Sequence, residues 1–229
     1  ILVDDHVVEI GPGMNFGNIA ALRGGLYAGT SDTDIQIGSP LLSSNSQDDG
    51  GYFAELRYDT LDRAFFPGHG TRLRSHYAVG RDEYGAESDY RAWSTVALLA
   101  RSFGRNSITA TARWSELDLD NRYLILPSQV YSLGGFLSLS GYTRDSLAGN
   151  YLAAANVVFY RRLTEQSFLP IDFPVYAGAS IETGNVWLQR NAVDVDDLLY
   201  AGSLFLGIDS PVGPVFLGVG IGEHDQRAL

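Results

Sequence analysis

The stretch Val215-Phe216-Leu217-Gly218-Val219-Gly220-Ile221-Gly222 sorts its side chains by parity. In an extended chain successive side chains point to opposite faces. Val215, Leu217, Val219 and Ile221 therefore form one aliphatic row, and Phe216, Gly218, Gly220 and Gly222 form its complement. A glycine row on a packed core face forfeits contacts, whereas on the wall of an enclosed interior it leaves room for another segment. The aliphatic row needs an apolar neighbour, and membrane hydrocarbon is one. If a second layer of the same molecule covers that row, the membrane reading fails.

The same split recurs upstream. Tyr52, Ala54, Leu56 and Tyr58 oppose Phe53, Glu55, Arg57 and Asp59; Ile108, Ala110, Ala112 and Trp114 oppose Thr109, Thr111, Arg113 and Ser115. Val175, Ala177, Ala179 and Ile181 oppose Tyr176, Gly178, Ser180 and Glu182. Tyr200, Leu204, Leu206 and Ile208 oppose Ala201, Ser203, Phe205 and Asp209. About eleven such segments are expected, starting near residues 3, 19, 34, 51, 71, 90, 107, 151, 175, 198 and 215. Most run about 8 to 12 residues, close to the length that crosses a bilayer at a steep tilt. Tyr58, Tyr77, Trp114, Tyr160 and Tyr200 lie near segment ends, where an interfacial aromatic girdle belongs. The fold class is all-β: an antiparallel transmembrane β-barrel, with residues 1–229 as one partial barrel domain.

Composition agrees by exclusion. A net charge of -11 speaks against a nucleic-acid partner, which requires clustered Lys and Arg. The chain has no Cys, so disulfides, thiol nucleophiles and zinc knuckles are ruled out. Mean hydropathy is -0.04, which a soluble globular domain shares with a barrel whose lipid-facing and interior-facing residues cancel, so composition leaves both readings open. Ile1-Leu2-Val3-Asp4-Asp5 lacks the marks of a signal peptide, so a targeting segment is expected upstream.

Connections alternate in length. Phe103-Gly104-Arg105-Asn106 and Ser210-Pro211-Val212-Gly213-Pro214 read as tight turns. Leu41 to Gly50, Arg81 to Asp89, Leu117 to Asn150 and Asn185 to Asp197 read as long loops. A soluble β-sandwich would show shorter strands and more even loops. The connection over about 117–150 is long enough to be functional.

That connection contains Leu133-Gly134-Gly135-Phe136-Leu137-Ser138-Leu139-Ser140-Gly141-Tyr142-Thr143-Arg144-Asp145. Here the chain resembles the bacterial surface antigen domain, the barrel of the BamA-like outer-membrane assembly and two-partner secretion superfamily. The signature of that family is an inward-folded loop tipped by a Val/Ile-Arg-Gly-Phe/Tyr tetrad. Leu139-Ser140-Gly141-Tyr142 takes its place, followed by Tyr151 to Tyr160 and Arg161-Arg162-Leu163. Tyr58-Asp59-Thr60-Leu61-Asp62 with Phe66-Pro67-Gly68-His69-Gly70-Thr71 is similar to the family's "D-x-x-D…FP-x-x-G" hairpin. The stretch Gly178 to Trp187 is similar to the strand whose acidic residue, here Glu182 with Gly184 nearby, receives the loop tip. Asp209 to Pro214 resembles the family's penultimate hairpin. The resemblance spans roughly residues 50 to 225 and implies a sixteen-stranded parent. Counted against it, the strand before the long loop is seventh here and eleventh there, so the chain would run from the fifth strand to the fifteenth.

One departure stands out: Ser140 replaces the tetrad's Arg, whose planar fork can grip a carboxylate. Arg144 could supply the guanidinium to Glu182; alternatively Arg144 is solvated and the loop docks through Tyr142 and backbone bonds. Leu-Ser-Gly-Tyr with Tyr-Arg-Arg-Leu is most similar to the barrels of patatin-like phospholipase autotransporters. The resemblance implies an outer-membrane protein that anchors, and helps secrete, an N-terminal patatin-like lipase passenger joined through a POTRA domain. Its partners would be outer-membrane lipid and those upstream domains, with no cofactor and no catalysis in this chain, which lacks a Gly-x-Ser-x-Gly elbow. The alternatives are a general outer-membrane assembly factor or a two-partner secretion transporter without an enzyme passenger, a passive porin, and a soluble β-domain.

Other constellations carry less. His6, His69, His76 and His224 lack metal-ligand spacing. Asp4-Asp5, Asp48-Asp49 and Asp196-Asp197 could bind Ca²⁺ in external loops, but read more readily as solvated loop charge. Gly218 to Gly222 precedes no helix and is no nucleotide loop. Asp49-Gly50-Gly51 reads as a turn, and Phe65-Phe66 as a turn anchored at the membrane.

Overall fold

The computed structural model describes residues 2–34, 45–120, 130–163, 173–223 and 227–228. The strands are β1 (Leu2–Ile10), β2 (Gly13–Phe16), β3 (Ala20–Asp34), β4 (Asn45–Asp59), β5 (His69–Gly80), β6 (Tyr90–Phe103) and β7 (Asn106–Leu119). They continue with β8 (Tyr131–Leu133), β9 (Leu147–Gly149), β10 (Tyr151–Arg162), β11 (Val175–Trp187), β12 (Leu199–Ser210), β13 (Gly213–Gly222) and β14 (Arg227–Ala228). One sheet runs β1-β3-β4-β5-β6-β7-β10-β11-β12-β13-β14, with β2 paired to β3, while β8 and β9 form a separate pair. Each strand on this path neighbours the next in sequence except where β2 and the β8–β9 pair intervene, the mark of an up-and-down antiparallel wall. Among the described residues no helix is long and apolar enough to cross a membrane.

The decisive row is bare. Val215, Leu217, Val219 and Ile221 are 55%, 76%, 44% and 62% exposed, and Ile181 and Leu204 are likewise exposed. On the opposite face of the same strands Tyr176, Ser180, Glu182, Ser203 and Phe205 are buried. An exposed aliphatic face of this extent is a liability in water and a requirement in hydrocarbon.

Contacts divide the chain into two compact units. The first comprises Ile1–Arg57, Arg74–Thr95 and Ser115–Val130. On its polar face Arg23 bridges Glu9 at 2.8 Å and Glu55 at 3.4 Å, and Arg57 also meets Glu55. Nearby, the Tyr90 hydroxyl donates to Asp49 at 2.7 Å and lies 2.6 Å from the Tyr27 hydroxyl. The second unit comprises Tyr58–Leu73, Val96–Trp114 and Tyr131–Leu229.

The structure departs from the sequence expectations at several points. The segment expected near residue 34 falls on residues 35–44, outside the described residues; β3 itself continues through Asp34, which pairs with Leu2. Among the described residues six path strands precede the long connection. The polar run from Asn45 to Gly50, expected as loop, is strand, because its backbone stays in the ladder and Thr30 and Tyr90 hold Asp48 and Asp49. The expected loops at 117–150 and 185–197 likewise begin later, after Leu119 and Trp187. Polarity marks where a strand leaves hydrocarbon; it does not mark where the ladder ends. The short strands β2, β8, β9 and β14 were not expected.

In the second unit the Asp-rich hairpin explains its own motif. The Asp59 carboxylate accepts from Leu61 N at 3.0 Å and from Arg72 Nε at 2.7 Å. Asp62 Oδ1 accepts from Gly68 N at 2.8 Å and His69 N at 3.1 Å, closing the turn. The Phe65-Phe66 pair splits. Phe65 is exposed, whereas Phe66 takes a left-handed φ of 48° and turns inward, stacking on Tyr176 at 4.2 Å and 8°. A membrane anchor is thus wrong for Phe66; ring packing with Tyr160 and Tyr176 holds it instead.

Burial pushes the Asp62 carboxyl up, but the His69 and Gly68 amides and the Arg63 charge outweigh it and hold it below the usual carboxylate range. A carboxyl lowered on folding stabilises above its unfolded value of about 3.9 and loses that contribution as pH falls through the folded one. Amide exchange at Gly68 and His69 should therefore accelerate on acidification below about pH 4 relative to neighbouring ladder amides. Asp62→Asn should abolish that pH dependence.

Candidate functional site

The long connection is a self-stapled loop before it is a docked one. Gly134 N donates to Ser138 O at 2.9 Å, Gly135 N to Tyr142 O at 3.1 Å and Tyr142 N to Leu139 O at 3.1 Å. Such tight reversals demand left-handed backbone, which Gly134, Gly135 and Gly141 adopt without a Cβ penalty. Leu137, Leu139 and Asp145 adopt it too, at φ 59°, 70° and 54°. Each costs roughly 1–2 kcal/mol and persists only where surroundings over-determine it. For Leu139 the surroundings are a buried apolar cluster with Leu133 and Leu152.

The tip, Leu139-Ser140-Gly141-Tyr142, meets the wall at Glu182 of β11. Glu182 is 1% exposed. Its Oε2 accepts from Ser140 N at 2.7 Å and its Oε1 from the Ser140 hydroxyl at 2.7 Å. The Ser180 hydroxyl donates to the same Oε1 at 2.5 Å and lies 2.7 Å from that of Ser203. The Ser140 oxygen also accepts from Leu137 N at 2.9 Å, so one hydroxyl ties loop to loop and loop to wall. A buried carboxylate is tolerable only when hydrogen-bonded in this manner.

Two more strands hold the flanks. Asn156 Nδ2 of β10 donates to Leu137 O at 2.7 Å, and Arg113 of β7 donates to the Ser138 hydroxyl at 3.2 Å. Strand β13 contributes its bare row. A Cβ on Gly220 would lie 2.6 Å from Gly141 N and 2.7 Å from Ser140 Cβ. One on Gly222 would meet the Tyr142 ring at 2.5 Å. The loop occupies the space that those missing side chains vacate. Beneath it, Phe136 packs against Phe216 at 5.1 Å, and Phe216 against Phe66 at 5.3 Å.

Two expectations need correction. Arg144 does not reach Glu182: its side chain is 89% exposed and its ion pair is with the adjacent Asp145, at 3.4 Å. The left-handed turn at Asp145 carries residue 144 away from the wall, and Ser140 already fills the carboxylate's near side. Gly184 is buried in the ladder opposite Ala154, where a Cβ would sit 2.8 Å from that of Ala154; it serves strand packing and makes no bond to the tip. Sequence reasoning missed Asn156, Arg113 and Phe136. No periodic signal marks them, although Asn156 and Arg113 were polar positions on interior rows. No group of three or more His, Cys, Asp or Glu among the described residues could hold a metal, and His224 lies outside them.

With this geometry in view, comparison with solved structures is informative. BamA from Haemophilus ducreyi lacking POTRA domains 1–3 aligns with a TM-score of 0.78 at 14% identity, over 99% of this chain and 53% of that one. CdiB from Escherichia coli aligns with a TM-score of 0.67 at 20% identity, over 99% and 43%. The chain thus spans about half the length of these structures. No family model matches the sequence. No curated protein matches it either. The chain shares the fold of these two structures, an antiparallel β-barrel wall.

Glu182→Ala would leave the Ser140 N–H and hydroxyl buried without an acceptor, a loss of about 3 kcal/mol or more. The expected result is a clearly lower thermal-unfolding midpoint in detergent micelles and earlier loss of the compact, heat-modifiable form on gels. Arg144→Ala should change neither measurement. Gly220→Val should match Glu182→Ala by displacing the tip sterically.

Proposed function

We propose that this chain is wall and brace of a bacterial outer-membrane barrel that helps assemble or secrete polypeptides, and is not itself an enzyme. The observation that carries the reading is the division of one sheet into two solvents. The Val215-to-Ile221 row lies bare for lipid, and its complement carries a loop fastened to a buried Glu182. The likeness to BamA and CdiB supports the fold in which such a loop is built.

The cargo we infer is an attached one: an N-terminal patatin-like lipase, joined through a POTRA domain and anchored by this barrel. The serine form of the tip, Leu139-Ser140-Gly141-Tyr142, supports that choice, because Ser140 meets Glu182 where the related tetrads carry Arg. In this reading the loop-tip residues and Glu182 keep the loop seated while the passenger crosses or is held at the membrane.

The test uses the full-length protein in cells. Wild type should fractionate with outer membrane, resist alkaline extraction and show a lipase domain accessible to added protease. Glu182→Ala should keep the membrane location and lower surface-exposed lipase at least several-fold. Recovery in the soluble fraction without detergent would overturn the membrane role. A full-length chain with POTRA domains and no lipase would overturn the passenger and favour a general assembly or two-partner role.

A further inference from the structure

Near its tight-turn edge, the bare face that the membrane reading assigns to hydrocarbon carries two charges among apolar neighbours. Arg101 on β6 and Arg161 on β10 both point out of it and are exposed. Leu99 and Phe103 flank Arg101 on the same row, and Val157, Phe159 and Leu163 share the row of Arg161; all are exposed. On the β11 side the cross-strand neighbours are apolar. Arg161 sits opposite Ala177 of β11, and Ala177 opposite Leu206 of β12. Among the described residues neither guanidinium has a carboxylate within ion-pair distance.

Both lie at one edge. The β6–β7 turn is only Gly104-Arg105, which places Arg101 level with Ile108 of β7. Arg162 N donates to Arg105 O at 2.9 Å, which fixes the end of β10 beside that turn and Arg161 level with Asn106. With β7 alone between them, the two strands are roughly 10 Å apart and the two Cα atoms offset by about one side-chain repeat along the ladder. Long Arg side chains close such a gap, and their stems can lie along Phe103 and Phe159 while the heads reach the interface.

We propose that Arg101 and Arg161 form a site for the phosphate of an anionic phospholipid, whose acyl chains lie along the Leu99, Val157 and Phe159 surface. The proposal rests on the membrane reading above. The planar guanidinium fork matches phosphate oxygens in a way a Lys would not. A headgroup with its own ammonium neutralises its phosphate internally, so a phosphatidylglycerol-type lipid fits better than phosphatidylcholine. The site also accounts for two cations that have no carboxylate partner among the described residues.

Native mass spectrometry of the full-length protein, released from vesicles of phosphatidylcholine mixed with phosphatidylglycerol, reads the site directly. Wild type should retain phosphatidylglycerol about tenfold better than phosphatidylcholine, as one to two charge-assisted hydrogen bonds allow. The double variant Arg101→Gln/Arg161→Gln should lose that preference, and Arg144→Gln should keep it. Equal retention of both lipids by wild type would overturn the site while leaving the barrel inserted. Displacement of the lipid by millimolar inorganic phosphate would overturn the lipid as occupant. Failure of wild type to insert into vesicles at all would instead sink the membrane reading.

Discussion

Residues two apart on a strand share a face, and here the two faces require different solvents. That constraint governs the molecule more than any single contact. Antiparallel pairing between chain neighbours satisfies the backbone donors and acceptors within the ladder, as a lipid-exposed wall demands. One face can then be Val215, Leu217, Val219 and Ile221 with nothing over them. The other can hold Arg23 between Glu9 and Glu55, or Tyr27, Tyr90 and Asp49 in one hydrogen-bonded group.

The loop is the second consequence. An interior wall of polar and small side chains does not pack by itself, and in the second unit the residues around Gly134 to Tyr142 fill it. Their backbone is strained at Leu137, Leu139 and Asp145. The strain is offset by bonds to a carboxylate that water cannot reach, by the Leu133, Leu139 and Leu152 cluster, and by Asn156 and Arg113 at the flanks. At the tip the joint is a short hydroxyl plus the peptide N–H beside it, so the backbone must come close. Gly220 and Gly222 permit that approach.

The loop is also continuous with the turn at the end of β4. Phe66 packs on Tyr176, Tyr160 and Phe216, and Phe216 packs on Phe136 of the loop. A compact turn fixed by Asp59 and Asp62 thereby shares one aromatic joint with the segment that braces the interior. The Phe-Pro-x-x-Gly pattern has a structural reason in this chain: Phe66 must be thrown inward at positive φ while Gly68 and His69 turn their amides to Asp62.

The sequence alone determined the all-β class, the faces of β4, β7, β11, β12 and β13, the tight turns at 103–106 and 210–213, and the glycine row waiting for an occupant. Those properties follow from a period of two and from turn chemistry, both local. It also pointed to Glu182 as the receiver of a loop tip, by resemblance. Only the tertiary structure decided that Ser140 meets Glu182 and that Arg144 faces away, because that depends on left-handed dihedrals at Leu139, Gly141 and Asp145. The strand limits, too, were decided by pairing: Asn45 to Gly50 looks like loop, yet a partner ladder keeps it extended beyond the apolar part. Polarity is written into side chains one at a time, whereas a bond between residues 140 and 182 exists only after the chain has been brought back upon itself.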